Sequence, residues 1–310
     1  MKKIFLIFSL LTAANIFAAE GFAQTYEKNI ATPDRQIPAE GIIFFDGFES
    51  GGFRFVVGEY SGPKKDPLWA QAQFQSNYAA QFVDKPVRSG KKAMRFEWRK
   101  ENLNKTNTSK KAMIHYGKDP KVEGSERWYG FSFYLPEKDF PLEPKYNVVL
   151  FQMHATPDKR LKELYRIPMY ALTLRKGYLQ SHLSYDLAKL SPHNDNIKAN
   201  ETLIKICPLS GLWNKWTDFV VHAKLSLKKQ GLLQVWMDGK LVVDLKDINF
   251  GYNDDIGSYP SWGIYSYNGK DKRIMFVDEI YIGNEKAGYD NVAPGKSDRT
   301  QKKMQGVKAK

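Results

Sequence analysis

Cysteine is nearly missing from this chain: Cys207 is the only one in 310 residues. No intramolecular disulfide can form, so even in an oxidising compartment the protein must hold together through its core alone. A chain of this length can bury enough surface to do so. In LIKICPL, Cys207 reads as a small buried hydrophobe. Sustained helical periodicity is also absent, which argues against a bundle or an α/β fold. No repeat with a fixed period is present, which excludes solenoids and propellers. No pair of histidines has the HExxH spacing of a catalytic zinc site, and neither a GxSxG elbow nor a P-loop occurs. No strand carries two carboxylates on one face, the arrangement that flanks a glycosidic bond in most glycosidases. Asp278 and Glu279 are adjacent and are expected to face opposite sides of a strand. Negative charge is scarce: Asp+Glu number 34 against Lys+Arg 47, a formal charge of +13. Such an excess favours anionic partners.

The start, MKKIFLIFSLLTAANIFAAEGFAQ, joins a basic pair, Lys2 and Lys3, to a short apolar run and then small residues. That is the pattern of a secretory signal peptide over residues 1–23, too short for a stable membrane anchor. Its removal lowers the net charge by one unit. Residues 24–40 read as a polar leader, 41–285 as one domain, and 286–310 as a basic disordered tail. Export to the periplasm or beyond, with no nucleic-acid motif in view, points the positive charge away from nucleic acid.

What the domain does contain is short alternating runs rich in aromatic and β-branched residues: IIFFDGFE, AMRFEWR, WYGFSFYL, NVVLFQMH, YALTLR, YLQSHLSY, DFVVHAKLSL, LLQVWMDG, KLVVDL, WGIYSY and IMFVDEIYIG. These are strand signals, and MDGK between two of them marks a hairpin. An all-β sandwich, jelly roll or barrel follows. DKRLKELYR (158–166) reads as a short helix or an excursion between strands.

Three runs carry candidate chemistry. In NVVLFQMH, alternation sends Val149, Phe151 and Met153 to the core and Leu150, Gln152 and His154 to the other face. A sheet face with Gln and His together suits a cleft, or a histidine satisfied by its neighbours. In YPSWGIYSYNGKDKR, Tyr265 and Tyr267 share a face, as sugar-stacking rings would; a half-buried aromatic strand fits as well. In KKAMRFEWRK, Arg95 and Arg99 flank Glu97, which reads either as an anion-binding pair or as a surface ladder. His182 shares a strand face with Gln180 and Ser184 and is a second cleft candidate.

In order and in combination, FDGFESG, RSGKKAMRFE, GSERWYGFSFYLP, FQMH, WTDFVVHAKLS, LLQVWMDGKLVVD, WGIY and VDEIYIG resemble the polysaccharide lyase superfamily that includes heparin lyase I and glucuronan lyase. The resemblance implies a concanavalin A-like β-jelly roll of two antiparallel sheets with substrate in a concave groove. It implies β-elimination on an acidic polysaccharide, with His154 and Tyr265 as the proton-transfer pair and Gln152 in support. Arg95, Arg99, Arg175, His182 and Tyr267 are the expected substrate contacts. Heparin lyase I-like enzymes tend to carry Arg at the position of Gln152 and Lys at that of Ser261. The departure tilts the reading toward an unsulfated uronate polymer. A structural calcium is common in such families, and Glu49 and Asp278 are its candidate ligands. No cofactor is expected for the chemistry, and a monomer suffices. A non-catalytic carbohydrate-binding module and a glycoside hydrolase on the same fold remain the alternatives.

Overall fold

A computed structural model describes residues 40–49, 69, 71–74, 76–102, 111–117, 119, 123–141, 146–191, 200–266 and 272–295. In chain order the strands are β1 (Ile42–Asp46), β2 (Gln71–Gln73), β3 (Ala80–Val83), β4 (Ala93–Trp98), β5 (Lys111–His115), β6 (Glu126–Tyr134), β7 (Val148–His154) and β8 (Tyr170–Arg175). They continue as β9 (Tyr178–Asp186), β10 (Asn200–Pro208), β11 (Trp216–Lys224), β12 (Ser226–Met237), β13 (Lys240–Tyr252), β14 (Tyr259–Ser266) and β15 (Arg273–Gly283). One short helix, α1 (Tyr289–Val292), follows.

The first sheet runs β13-β12-β11-β6-β15-β4-β3, with β1 also on β15; the second runs β2-β5-β14-β7-β8-β9-β10. The two join where Gly251 and Tyr252 at the end of β13 pair parallel to Tyr185 and Asp186. Every other strand pairing is antiparallel, which gives the expected jelly roll. The β12–β13 hairpin turns at Asp238 and Gly239, both at positive φ, as an Asp-Gly turn of type I′ requires.

Alternation puts the aromatic residues of both sheets into one core. Trp262 of β14 lies 5.3 Å from Phe151 of β7 and 6.2 Å from Phe131 of β6, ring centre to ring centre. Met94, Phe96 and Trp98 fill the other end. At about 25 cal/mol per Å² of apolar surface, rings of this size dominate the stabilisation. Cys207 is half-buried, its Sγ 3.9 Å from the Met237 sulfur.

Four strands, β2, β3, β5 and β10, fall outside the runs picked from the sequence. The chain also stays ordered past residue 285, through Gly295. Val292 and Ala293 pack with Ile42, Val220 and Tyr281 on the outer face of the first sheet. Gly130 makes room for them: a Cβ there would meet the Val292 carbonyl oxygen at 1.7 Å. The expected tail therefore begins within a packed segment, and only residues 296–310 of it lie outside the described residues, as do the signal peptide and the leader up to residue 39.

Two bulges correct the simple alternation. In β7 the pairing with β8 shifts between Val149 and Phe151. Leu150 thus joins Phe151 in the core, while Val149 is only partly buried. In β15, Glu279 has a φ of 53° and the register with β6 shifts between Asp278 and Tyr281. Val277 before and Ile280 after both enter the core, so Asp278 and Glu279 turn to the same side instead of opposite sides.

Candidate active site

The site is built on the outer face of the second sheet, and register decides its membership. His154 on β7 stands opposite Tyr259 on β14, and Gln152 opposite Ser261. Ser261 in turn stands opposite His115 on β5, and Tyr265 opposite Lys111. Because side chains two apart share a face, these seven residues project together, while Phe151, Met153, Trp262 and Ile264 point into the core. Between Ser261 and Tyr265 lies Gly263, at φ 134°, where a Cβ would meet the Ala112 carbonyl oxygen at 2.1 Å. The close approach of β14 to β5 at this point requires glycine.

His154 is buried, and its Nδ1 donates to the Ala155 carbonyl at 2.9 Å. The carbonyl partner puts the proton on Nδ1 and leaves the Nε2 lone pair for a substrate. Burial lowers the pKa of His154 to about 4; the Ala155 contact works against the shift, and the charges of Lys111 and Arg166 add to it. Its ring stacks on Tyr259, 5.3 Å between centres. His115 is buried deeper. Its Nδ1 lies 2.6 Å from Ser261 Oγ, and its pKa is held well below the ordinary range by burial, then by Lys111 and His154.

Lys111 links the two ends of the cluster. Its ammonium sits 4.7 Å from the centre of the Tyr265 ring, and its charge is felt at both imidazoles. Burial brings its pKa down to about 8, so it is charged at neutral pH. Gln152 is fully buried, and neither its Nε2 nor its Oε1 has a hydrogen-bond partner among the described residues. His115 Nε2, Gln73 Oε1 and Thr173 Oγ1 are unpartnered in the same sense. Gln73 stands opposite Met113 on β5, and Thr173 on β8 opposite Val149. A row of unsatisfied polar atoms therefore crosses β2, β5, β7 and β8 on one face. Buried polar groups without partners cost about 1–3 kcal/mol each, and a polar ligand on this face would satisfy them.

Of the predicted residues, His154, Gln152 and Tyr265 share this face. The phenol that meets His154, however, is that of Tyr259; Tyr265 lies farther along, opposite Val149. Arg175 and His182 lie on β8 and β9, farther across the same sheet; Thr173 stands opposite Gln180, and Ala171 opposite His182. His182 Nε2 is 3.1 Å from Glu201 of β10. Arg95 and Arg99 are elsewhere. They project from β4 in the first sheet, where both bond Glu97, and Arg99 also covers the Tyr78 ring at 3.8 Å. The surface-ladder alternative describes them, and the structure does not bring them to the site. Tyr267 lies outside the described residues.

Glu49 and Asp278 do not suit calcium. Asp278 Oδ2 accepts the amides of Arg88 (2.8 Å) and Ser89 (3.2 Å), and its Oδ1 that of Glu279. Glu49 Oε1 accepts the amides of Lys91 and Lys92. N–H donors thus point at three of the four carboxylate oxygens, and the two carboxylates clasp the backbone of residues 88–92. Among the described residues no group of three or more His, Cys, Asp or Glu side chains stands together as a metal site.

Sequence reasoning missed Lys111, His115 and Tyr259. The signal was there: Lys111, Met113 and His115 alternate in KAMIH, and Tyr259 lies two residues before Ser261. A cavity of about 280 Å³ lined by Asp218, Trp236, Asp238, Tyr289 and Asp290 lies on the outer face of the first sheet and contains none of the predicted residues.

The protein is thus an all-β jelly roll with a histidine, tyrosine, lysine and glutamine cluster on one sheet face. The family model for polysaccharide lyase matches residues 62–281, and the chain belongs to that family as a polysaccharide lyase enzyme. No curated protein matches it in sequence. Among solved structures it is similar to the endo-β-1,4-glucuronan lyase from the fungus Trichoderma reesei, with a TM-score of 0.58 and 18% identity over 73% of this chain and 94% of that one. It also matches the family 7 alginate lyase A1-II′, with a TM-score of 0.45 and 11% identity over 69% and 84% of the two chains. At such identities the first likeness speaks for the fold alone. No helix among the described residues is long and apolar enough to cross a membrane.

Proposed function

We propose that this enzyme cleaves an unsulfated uronate polysaccharide by β-elimination, leaving an unsaturated uronate end. The observation that carries the reading is the Gln152 amide, fully buried two residues from His154 and without a hydrogen-bond partner among the described residues. The hydrogen on C5 of a uronate is a weak acid because its carboxylate is already charged. Elimination requires that this charge be neutralised, the proton taken and O4 protonated as it leaves. Lys111 supplies positive charge, and the Gln152 amide and His115 Nε2 supply hydrogen bonds to the carboxylate as negative charge builds on it. His154, neutral at physiological pH with Nε2 free, is a proton acceptor, and Tyr265 beneath the Lys111 ammonium is the proton donor to O4. For the C5 epimer the hydrogen changes face, and Tyr265 then takes it. Arg175 and His182 extend the polar face along the polymer.

The sparse cations of this face, together with Gln152 and Ser261 where heparin lyases carry Arg and Lys, favour an unsulfated chain. The first fold relative described above is named for glucuronan, which makes glucuronan the first polymer to try. The leader-like start supports export, so that enzyme and polymer meet outside the cytoplasm. The test is ultraviolet absorbance of unsaturated ends on glucuronan, alginate and heparin. Growth of absorbance on glucuronan or alginate is expected. A folded protein that binds these polymers and yields no double bond would be a carbohydrate-binding module; new reducing ends without the double bond would make it a hydrolase.

A further inference from the structure

The loop between β7 and β8 inverts the usual rule that charge stays outside and apolar groups go in. Asp158, Glu163 and Arg166 are buried, while Leu164 is 58% exposed and Tyr165 50%. The buried charges form a clamp. Arg166 donates to Glu163 at 2.6 Å, to Asp254 and to Ser191 Oγ at 3.1 Å, with its guanidinium 4.4 Å from the centre of the Tyr252 ring. Glu163 accepts the amides of Asp158 (2.8 Å) and Ser191 (2.9 Å). Asp158 accepts the Asp255 amide and bonds Lys189 at 2.6 Å. Three chain segments, around 158–166, 189–191 and 252–255, are thus tied together at one end of the site.

Burying charge is costly, and a clamp of this kind is weak evidence for added stability. Its clear geometric result is to fix the side chain between Glu163 and Arg166. The Tyr165 ring stands 6.5 Å from the His154 ring, inclined at 65°. The two rings do not stack on each other, and the phenol stays open to solvent beside the proton-transfer imidazole. A rigid, half-exposed aromatic at this place suits the C–H face of a pyranose. We propose that Tyr165 is a stacking platform for the sugar residue adjoining the cleaved bond, and that the Glu163–Arg166–Asp254 clamp holds it there. The proposal rests on the elimination reading, which supplies the sugar chain.

The experiment compares wild type, Tyr165→Ala, Tyr165→Trp and Leu164→Ala on glucuronan or alginate oligomers of graded length, whichever the wild type takes. Tyr165→Ala is expected to raise KM tenfold or more on the longer oligomers, with kcat within about threefold and an unchanged melting temperature. Trp should restore KM, and Leu164→Ala should behave as wild type. An unchanged KM in Tyr165→Ala overturns the proposal, as does a loss that Trp does not rescue. If the wild type cleaves nothing, calorimetric binding of a glucuronan hexamer separates the two ideas. Weaker binding by Tyr165→Ala than by wild type keeps the platform and discards elimination. Absence of binding by the wild type, or equal binding by both, overturns the platform.

Discussion

Replacing Gln152 with leucine should make the protein more stable and almost inactive. The side chain is fully buried, and both polar ends of its amide lack a partner among the described residues. Each such group costs about 1–3 kcal/mol relative to its state in water. Leucine removes both groups at similar volume and adds apolar contact, so a gain of about 2 kcal/mol follows. In a domain of this size that raises the melting temperature by roughly 4–8 °C. If the amide stabilises charge on the substrate carboxylate in the transition state, turnover falls by about 10²–10³. Urea unfolding followed by intrinsic fluorescence measures the first effect, and initial rates of absorbance the second. A variant destabilised by 1 kcal/mol or more would refute the claim that the amide is unsatisfied. A stable variant with wild-type turnover would refute its role in the chemistry.

His154→Asn isolates the titration of one imidazole. Its pKa of about 4 in the folded protein, against 6.5 unfolded, means that between these values the unfolded chain binds the extra proton. Wild type should therefore lose about 3 kcal/mol relative to the variant as pH falls from 7 to 4, and parallel unfolding curves across that range would contradict it. Lys111→Met should raise KM by about 10–100-fold, the worth of a charge-assisted hydrogen bond. In wild type, KM should climb as pH passes about 8 and the ammonium loses its proton, whereas the variant's KM should be flat there. Gly263→Ala forces a Cβ against the Ala112 carbonyl at 2.1 Å and places it at positive φ. A loss of about 3–5 kcal/mol is expected, and a change below 1 kcal/mol in urea unfolding would show that β5 and β14 separate easily.

Strand periodicity made most of the architecture readable. Alternation of large apolar and polar residues is a local property, and in β4, β6, β8, β9 and β11 it matched the packing. β5 escaped because KAMIH is short, flanked by polar residues and carries a lysine at its start. Its burial comes from β2 and β14 on either side, which no local pattern reveals. Bulges caused two further misreadings: one extra residue in β7 moved Leu150 into the core, and the positive φ of Glu279 put it beside Asp278. The site was half legible for the same reason. Gln152 and His154 lie two apart on one strand, so their partnership is local. Their meeting with Tyr259, Ser261 and His115 depends on the register of three strands far apart in sequence. Arg95, Glu97 and Arg99 had the same local pattern as a site, yet belong to the other sheet.

Departures from ordinary folding rules gather around His154. Gln152 buries an amide without a partner among the described residues, Lys111 holds a partly buried ammonium, Gly263 holds β14 in a conformation closed to other residues, and the 158–166 loop puts charges inside. Each weakens the fold taken alone, and each lies on or beside one face of one sheet. The opposite face of the same strands is mainly apolar: Trp262 and Ile264 alternate with Ser261 and Tyr265 and pack against Phe151 and Phe131. β14 thus serves both purposes, its inward side supplying apolar contact and its outward side carrying the polar face, where Ser261 bonds His115 at 2.6 Å. Several such inconsistencies on one face of well-packed strands are where a binding and catalytic surface is expected. It is also why stability and turnover should separate at Gln152 and move together at Gly263.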